Sequence, residues 1–196
     1  MKFLLIFFVF FSFGYANTKN MEKLEKYNQY DDIFLKYEKE FGISYFLMKA
    51  IALTENADFD NDAIMKNENG TIDIGLMQIN SMWKYWLPEA NITHQKLKDP
   101  DFNIKIAYTI VSKIIEQHGY SWDSIGRYHS GTPKFKEIWL NKIKKNVSYL
   151  ASLDNRVALS SENFEVEKKS KSNSSKKREK QIPKKLVIKE VLIARN

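Results

Sequence analysis

Apolar side chains recur every three or four positions through most of the chain, which predicts a mostly α-helical protein. Residues 21–41 carry such a stripe and are followed by a glycine, which commonly ends helices. We expect a second helix after Ser44, which can cap it. A third is expected between Asp99, a cap residue followed by proline, and Gly119, and a fourth over residues 135–150.

The run DIGLMQIN, residues 73–80, has neither the alternation of a strand nor the stripe of a helix. The residues before it include an Asn-Gly pair, which favours a tight turn. We therefore expect a small irregular or β-turn segment here. Its amides, Gln78 and Asn80, can both donate to and accept from sugar hydroxyl and acetamido groups. We predict that these two side chains face a ligand while their apolar neighbours pack.

One carboxylate, Glu55, falls on the apolar stripe of the second helix, four residues beyond Ile51 and seven beyond Met48. Partial burial and the negative end of the helix dipole both favour its neutral form. A carboxyl that stays protonated near neutral pH can act as a general acid. The alternative is a glutamate at a helix end that simply turns to solvent. Downstream, Asp73 follows the predicted turn and should point into the groove that Glu55 faces.

The first sixteen residues predict a secretory signal peptide, because Lys2 precedes an apolar run and small residues surround the expected cleavage point after Ala16. The run is shorter than a membrane span needs. There are no cysteines, so disulfides, thiol catalysis and cysteine-zinc sites are excluded. The three histidines are far apart and form no HExxH pair. We expect no metal site and no cofactor.

The net charge of +7 belongs to the C-terminal end of the chain. Residues 161–196 contain eleven basic and five acidic residues, whereas residues 17–160 contain nineteen of each. The end segment is rich in Ser and Lys, which predicts a basic, largely disordered tail with an apolar terminal segment, following one domain over residues 17–160. Its basic residues lack interleaved aromatics, so we do not expect nucleic-acid binding.

Four blocks together resemble the lysozyme-like lytic transglycosylases of the SLT domain family, in particular the small exported IagB type associated with secretion and pilus assembly. They are ALTENADFDNDAI around Glu55, DIGLMQINS from Asp73, LKDPDFNIKIA over residues 97–107 and SWDSIGRYHSG over residues 121–131. The resemblance covers about residues 40 to 150. It implies a mostly α, lysozyme-like single domain.

The resemblance also implies roles for individual residues. Glu55 matches the single catalytic acid and base, and Gln78 and Tyr128 match residues that line the cleft near the reacting sugar. Two positions depart from the usual pattern. Asn56 stands where the family usually has Ser, and His129 stands where it usually has Asn. Either change can alter how the acetamido group is held, so Asn56 joins the predicted substrate-binding residues.

The implied reaction is lytic cleavage of peptidoglycan between N-acetylmuramic acid and N-acetylglucosamine, with closure of a 1,6-anhydro ring. Two alternatives stay open. The segment around Asp73 is also similar to animal-type lysozymes, in which an Asp at this position serves a retaining hydrolysis. A non-catalytic adaptor that only holds glycan is the other. We expect a periplasmic monomer whose partners are glycan strands and, through the tail, secretion or pilus assembly proteins.

Overall fold

The computed structural model describes residues 22–153. The predicted signal peptide and the basic tail lie outside the described residues. In chain order the helices and strands are α1 (22–28), α2 (Asp31–Phe41), α3 (Tyr45–Glu55), β1 (Ile64–Lys66), β2 (Ile72–Ile74), β3 (Ile79–Asn80), α4 (Trp83–Trp86), two single 3₁₀ turns (Pro88–Ala90 and Lys96–Lys98), α5 (Pro100–His118), α6 (Trp122–Gly126) and α7 (Pro133–Leu153). The mostly α fold with a small β segment is confirmed.

Helix α3 lies at the centre of the core, because every residue from Phe46 to Leu53 is buried. It packs against α2 on one side and α7 on the other. The long helix α5 contributes its own buried face and contacts α2, α6 and β3. A helix covered on all sides fixes the position of its last residue, and the last residue of α3 is Glu55.

The predicted first helix is interrupted at residues 29–30, where a turn separates α1 from α2. The reason is a buried lysine. Lys49 of α3 donates hydrogen bonds to Asn28 Oδ1 at 2.5 Å and to Asp31 Oδ1 at 2.6 Å. A buried cation needs such partners, and they come from the two sides of the turn.

Three further details differ from the sequence pattern or refine it. Ser44 occupies the N-cap position of α3 but its side chain makes no capping hydrogen bond. Asp99 does cap α5, since its side chain accepts from the Phe102 N–H. Helix α7 buries Trp139, whereas its apolar neighbour Ile138 is half exposed.

The small sheet is antiparallel with the strand order β1-β2-β3. Met65, Asp73 and Asn80 are directly paired across it, so their side chains share one face. The loop between β1 and β2 closes where the Gly70 N–H donates to the Asn67 carbonyl at 3.0 Å, and Gly70 has a positive φ of 79°. The Asn-Gly turn expected from the sequence is therefore present.

Between residues 22 and 153, none of the helices combines the length and the apolar character needed to cross a membrane.

Candidate active site

Glu55 ends α3 with its carboxylate held against α7. Its Oε1 accepts a hydrogen bond from the Trp139 indole N–H at 2.7 Å. The Nδ1 of His129 lies 3.7 Å from the same oxygen, beyond hydrogen-bonding distance but within reach of an ionic attraction when the imidazole is protonated. The Glu55 side chain is 18% exposed, so it is partly buried yet open to a substrate.

Aromatic stacking holds the partners of Glu55 in place. The His129 ring lies nearly parallel to the Trp139 indole, with 5.5 Å between centroids and 6° between planes. Tyr128 also stacks on Trp139, with 6.1 Å between centroids. The side chain directly before Glu55 is tied to α7 as well, because Asn146 of α7 donates to Thr54 Oγ1 at 2.8 Å. The packing of α7 on α3 thus orients the carboxylate.

Tyr128 joins the α6–α7 corner to the DIGLMQIN turn. Its hydroxyl donates to the Met77 carbonyl at 2.9 Å. Burial, reinforced by the nearby charges of Glu55 and Asp73, raises the pKa of the Tyr128 phenol well above its usual value. The phenol therefore remains a neutral donor at any physiological pH. Because both carboxylates act on this one phenol, the structure brings Glu55, Asp73 and Tyr128 into one region.

Asp73 lies in the middle strand with both carboxylate oxygens bonded to side-chain amides. Oδ2 accepts from Asn67 Nδ2 at 2.9 Å, and Oδ1 accepts from Asn80 Nδ2 at 2.7 Å. The two amides come from either end of the β-sheet segment. The carboxylate is thereby fixed in orientation on the same face as Asn80.

The two amides predicted to face a ligand are largely engaged within the protein. Asn80 also donates to Thr71 Oγ1 and accepts from the Met82 N–H. Gln78, which has a positive φ of 46°, donates from Nε2 to the Gly75 carbonyl at 2.8 Å. Its Oε1 has no donor among residues 22–153 and is the amide atom free to meet a sugar. Ligand contact by either side chain stays a prediction.

Asn56, directly after Glu55, is buried and organises the following loop. Its Nδ2 donates to the Asp60 carbonyl at 2.7 Å, and its Oδ1 accepts from the Asp60 N–H at 3.3 Å. A weaker contact of 3.5 Å reaches the Gly75 carbonyl. These contacts tie the end of α3 to the turn that carries Gln78. The structure gives Asn56 a supporting position, and its predicted substrate contact stays untested.

Three residues of this site have roles that sequence reasoning did not assign. Trp139 binds Glu55, and Asn67 binds Asp73. Asn103 of α5 binds the turn between β2 and β3. Asn103 donates to the Ile74 and Leu97 carbonyls and accepts from the Met77 N–H, and it is 1% exposed. A signal existed for Trp139, because a buried indole N–H needs an acceptor. For Asn103 the only signal was a polar residue inside the buried stripe of α5.

No cluster of three or more acidic or histidine side chains in the described part of the chain is arranged to hold a metal ion. The site brings together one partly buried carboxyl, a second carboxylate bonded to two amides, a neutral phenol and an imidazole. This set suits proton transfer to and from an oxygen.

Comparison with known protein families shows the family to which the chain belongs. The family described as Transglycosylase SLT domain matches residues 32–149. The chain belongs to this family. The match runs from α2 to α7 and includes every site residue described above.

Two named relatives agree with this membership. The chain is similar to the invasion protein IagB of Salmonella typhimurium, with 39% identity over 116 residues that cover 58% of this chain and 72% of that protein. It is also similar to protein IpgF of Shigella flexneri, with 32% identity over 108 residues that cover 54% of this chain and 70% of that protein. The resemblance to an SLT transglycosylase of the IagB type is confirmed.

Membership in the SLT family makes the protein an enzyme of the lytic transglycosylase type. Its substrate class is peptidoglycan, and it is a cell-wall-acting periplasmic protein.

Proposed function

We propose that this SLT enzyme cleaves the bond between N-acetylmuramic acid and N-acetylglucosamine and leaves a 1,6-anhydro-muramic acid end. Glu55 is the catalytic acid and base. As an acid it gives its proton to the departing glycosidic oxygen. As a base it then removes the proton from the 6-hydroxyl of the same muramic acid, whose oxygen closes on C1. No water enters the product.

The observation that carries this proposal is the placement of Glu55. Its carboxyl ends a fully buried helix, is 18% exposed and is oriented by the Trp139 N–H. One oriented carboxyl can serve both proton transfers, because the first transfer leaves it ready for the second. An adaptor that only holds glycan does not need a carboxyl fixed in this way.

A retaining hydrolysis that uses Glu55 and Asp73 is the second candidate, favoured by the presence of both carboxylates near Tyr128. Two amide donors tie the Asp73 carboxylate to the β1–β2 loop and to β3. We therefore assign Asp73 to holding the turn, with Gln78, Asn80, Asn56 and Tyr128 as the residues around the glycan.

We further propose that the cleavage opens the wall locally for a secretion or pilus assembly system. The support is the similarity to a protein named for invasion, the IagB of Salmonella typhimurium. The tail, residues 161–196, is the proposed contact with such partners, and the signal peptide of residues 1–16 is the proposed route to the periplasm. We propose that the enzyme acts as a monomer.

Product analysis tests the chemistry. Purified peptidoglycan is digested in water labelled with heavy oxygen, and the released sugars are weighed. Transglycosylation gives unlabelled anhydro ends, whereas hydrolysis gives reducing ends that are heavier by one labelled water. Labelled reducing ends as the main product would overturn the proposal in favour of the second candidate.

The first mutational prediction concerns Glu55 itself. Glu55→Gln should keep the fold but lower the rate of cleavage by at least ~100-fold, because an amide cannot supply the proton. Glu137→Gln, which changes an exposed glutamate of α7, is the matched control and should retain activity. Rates on soluble glycan and melting temperatures of both variants check this. Cleavage by Glu55→Gln at the wild-type rate would remove Glu55 from the mechanism.

A further inference from the structure

The two oxygens of the Glu55 carboxylate are not equivalent. Oε1 accepts the Trp139 N–H at 2.7 Å and faces His129. Oε2 accepts no hydrogen bond from any described residue. An indole nitrogen can only donate, and in a neutral carboxyl the carbonyl oxygen is a much stronger acceptor than the hydroxyl oxygen. When Glu55 is neutral, its proton therefore lies on Oε2.

Trp139 is itself rigid. It is 3% exposed and lies against both Tyr128 and His129, whose rings stack on the indole. Rotation of the Glu55 carboxyl would break its bond to this fixed donor. The indole thus determines which oxygen faces the cleft.

We propose that Trp139 is a positioning residue that holds Oε1 of Glu55, so that Oε2 alone exchanges protons with the glycan. This inference rests on the proposed function of Glu55 as acid and base and assigns both proton transfers to one atom. The same oxygen loses its proton to the glycosidic oxygen and regains one from the 6-hydroxyl. The carboxyl then returns to its starting state without turning.

Two rings stack on the indole beside Glu55. His129 approaches Oε1 from the segment after α6, with its Nδ1 3.7 Å away. Tyr128 stays neutral, because burial and the charges of Glu55 and Asp73 raise its pKa well above the usual value. The indole N–H adds a bond that is stronger to the anion than to the neutral acid.

A spectroscopic test reads the Trp139–Glu55 hydrogen bond without any substrate. The chain contains four tryptophans, so the nitrogen-labelled full chain gives four indole N–H signals, and Trp139→Phe identifies the one from Trp139. We expect that signal to move as Glu55 ionises, and the Glu55→Gln variant to lose that movement. Any response that remains in Glu55→Gln reports His129, which stacks on the same ring. An identical response in wild type and Glu55→Gln would overturn the inference.

A kinetic test measures how the loss of this hydrogen bond affects catalysis. Trp139→Phe keeps an aromatic ring but removes the donor, so kcat should fall about tenfold or more, because a loosely held catalytic group spends less time in the reactive geometry. KM should change by no more than about twofold, because the indole N–H touches Glu55 and not the sugar.

Trp122→Phe is the matched control, since Trp122 lies on α6 beneath Lys144 and makes no hydrogen bond to Glu55. It should leave kcat and KM unchanged. Melting temperatures of both variants separate misfolding from mispositioning. A folded Trp139→Phe with the wild-type kcat would refute the inference. If the wild-type enzyme releases no anhydro product, the proposed function fails. The indole signal still shows whether Trp139 donates a hydrogen bond to Glu55.

Discussion

At the scale of single residues, the hydrogen bonds of Asp73 indicate its role in the fold. A carboxylate that attacks a sugar carbon needs an oxygen lone pair directed at that carbon. Each oxygen of Asp73 accepts one short hydrogen bond, from Asn67 or from Asn80, and keeps a second lone pair. These bonds link the β1–β2 loop to β3, so Asp73 holds the sheet together.

The prediction for Asp73 is a modest loss of activity together with a loss of stability. Asp73→Asn places an amide N–H opposite one of the two amide donors, which removes one hydrogen bond worth on the order of 1 kcal/mol. Rate and melting temperature are measured together, and Asp62→Asn, a largely exposed aspartate ahead of the sheet, is the control. The anhydro product should be unchanged.

The two roles of Asp73 give different results. If the residue were a nucleophile, Asp73→Asn would lower the rate about as severely as Glu55→Gln, with little change in melting temperature. That result would restore the retaining hydrolysis.

Sequence reasoning reached Glu55 but not its partner. Spacing along one helix placed Glu55 on the buried stripe with Ile51, and the structure places it at the end of α3, two residues after the buried run from Phe46 to Leu53. Spacing within α3 carries no information about which distant helix packs on it. Trp139 lies 84 residues further along the chain, so only the tertiary fold shows the bond. For the same reason, Gln78 and Asn80 were recognised as special, but not the protein groups to which they bond.

At the scale of elements, the turn between β2 and β3 depends on a close approach of α5. Gly75 has a positive φ of 78°, and a Cβ added there would lie 2.4 Å from both Asn103 Nδ2 and the Leu97 carbonyl oxygen. No side chain fits this space. The glycine therefore allows Asn103 to hold the turn from behind.

Gly75→Ala should destabilise the protein by about 2–5 kcal/mol, from the left-handed backbone cost together with the overpacking. Gly70→Ala is the matched control, because Gly70 has nearly the same φ of 79° but open space around its Cβ position. Only the backbone cost of about 1–2 kcal/mol applies there. Denaturant unfolding of both variants measures the difference. Equal losses would show that the contact with Asn103 is not tight.

The contact between α2 and the start of α5 should weaken in acid. Partial burial alone would raise the pKa of Asp101, but hydrogen bonds from Lys36 and Tyr37 lower it below its ordinary value of 3.8. Because the folded-state pKa is the lower one, this stabilisation is present above pH 3.8 and is lost as the pH falls through the folded-state pKa. Asp101→Asn should therefore melt at a lower temperature than wild type near neutral pH, and the gap should close in acid. A gap independent of pH would contradict this.

Helix boundaries followed from the sequence where local signals set them. Gly42 ends α2 in the left-handed conformation, and Asp99 caps α5. The turn at residues 29–30 was not foreseen, because its cause is Lys49 in another helix. Strand pairing was also missed in detail, since strands of two or three residues carry too little pattern to be told from a loop.

At the scale of the whole molecule, the excess positive charge and the candidate catalytic residues lie in different parts of the chain. Residues 17–160 are balanced, whereas residues 161–196 carry six excess positive charges. Glu55, Gln78 and Tyr128 all precede that segment. We therefore expect the end of the chain to contribute binding and not chemistry.

Truncation after Ser160 should leave activity on short soluble glycans unchanged. The same truncation should weaken binding to intact sacculi, because eleven basic residues are removed from a chain that meets an anionic surface. The difference should shrink as salt is raised. Turnover on soluble glycan and sedimentation with sacculi measure the two properties. Loss of turnover on soluble glycan would show that the catalytic domain extends beyond residue 160.

The hydrogen bond from Tyr128 to the Met77 carbonyl has a consequence for substrate entry. It joins the segment between α6 and α7 to the turn that carries Gln78, and its donor keeps its proton at every pH the cell meets. These two segments are thus tethered at a preset separation before any glycan arrives. If glycan binds beside Tyr128 and Gln78, as we propose, we expect the conformational entropy lost on binding to come from the sugar strand while the enzyme's backbone keeps its conformation.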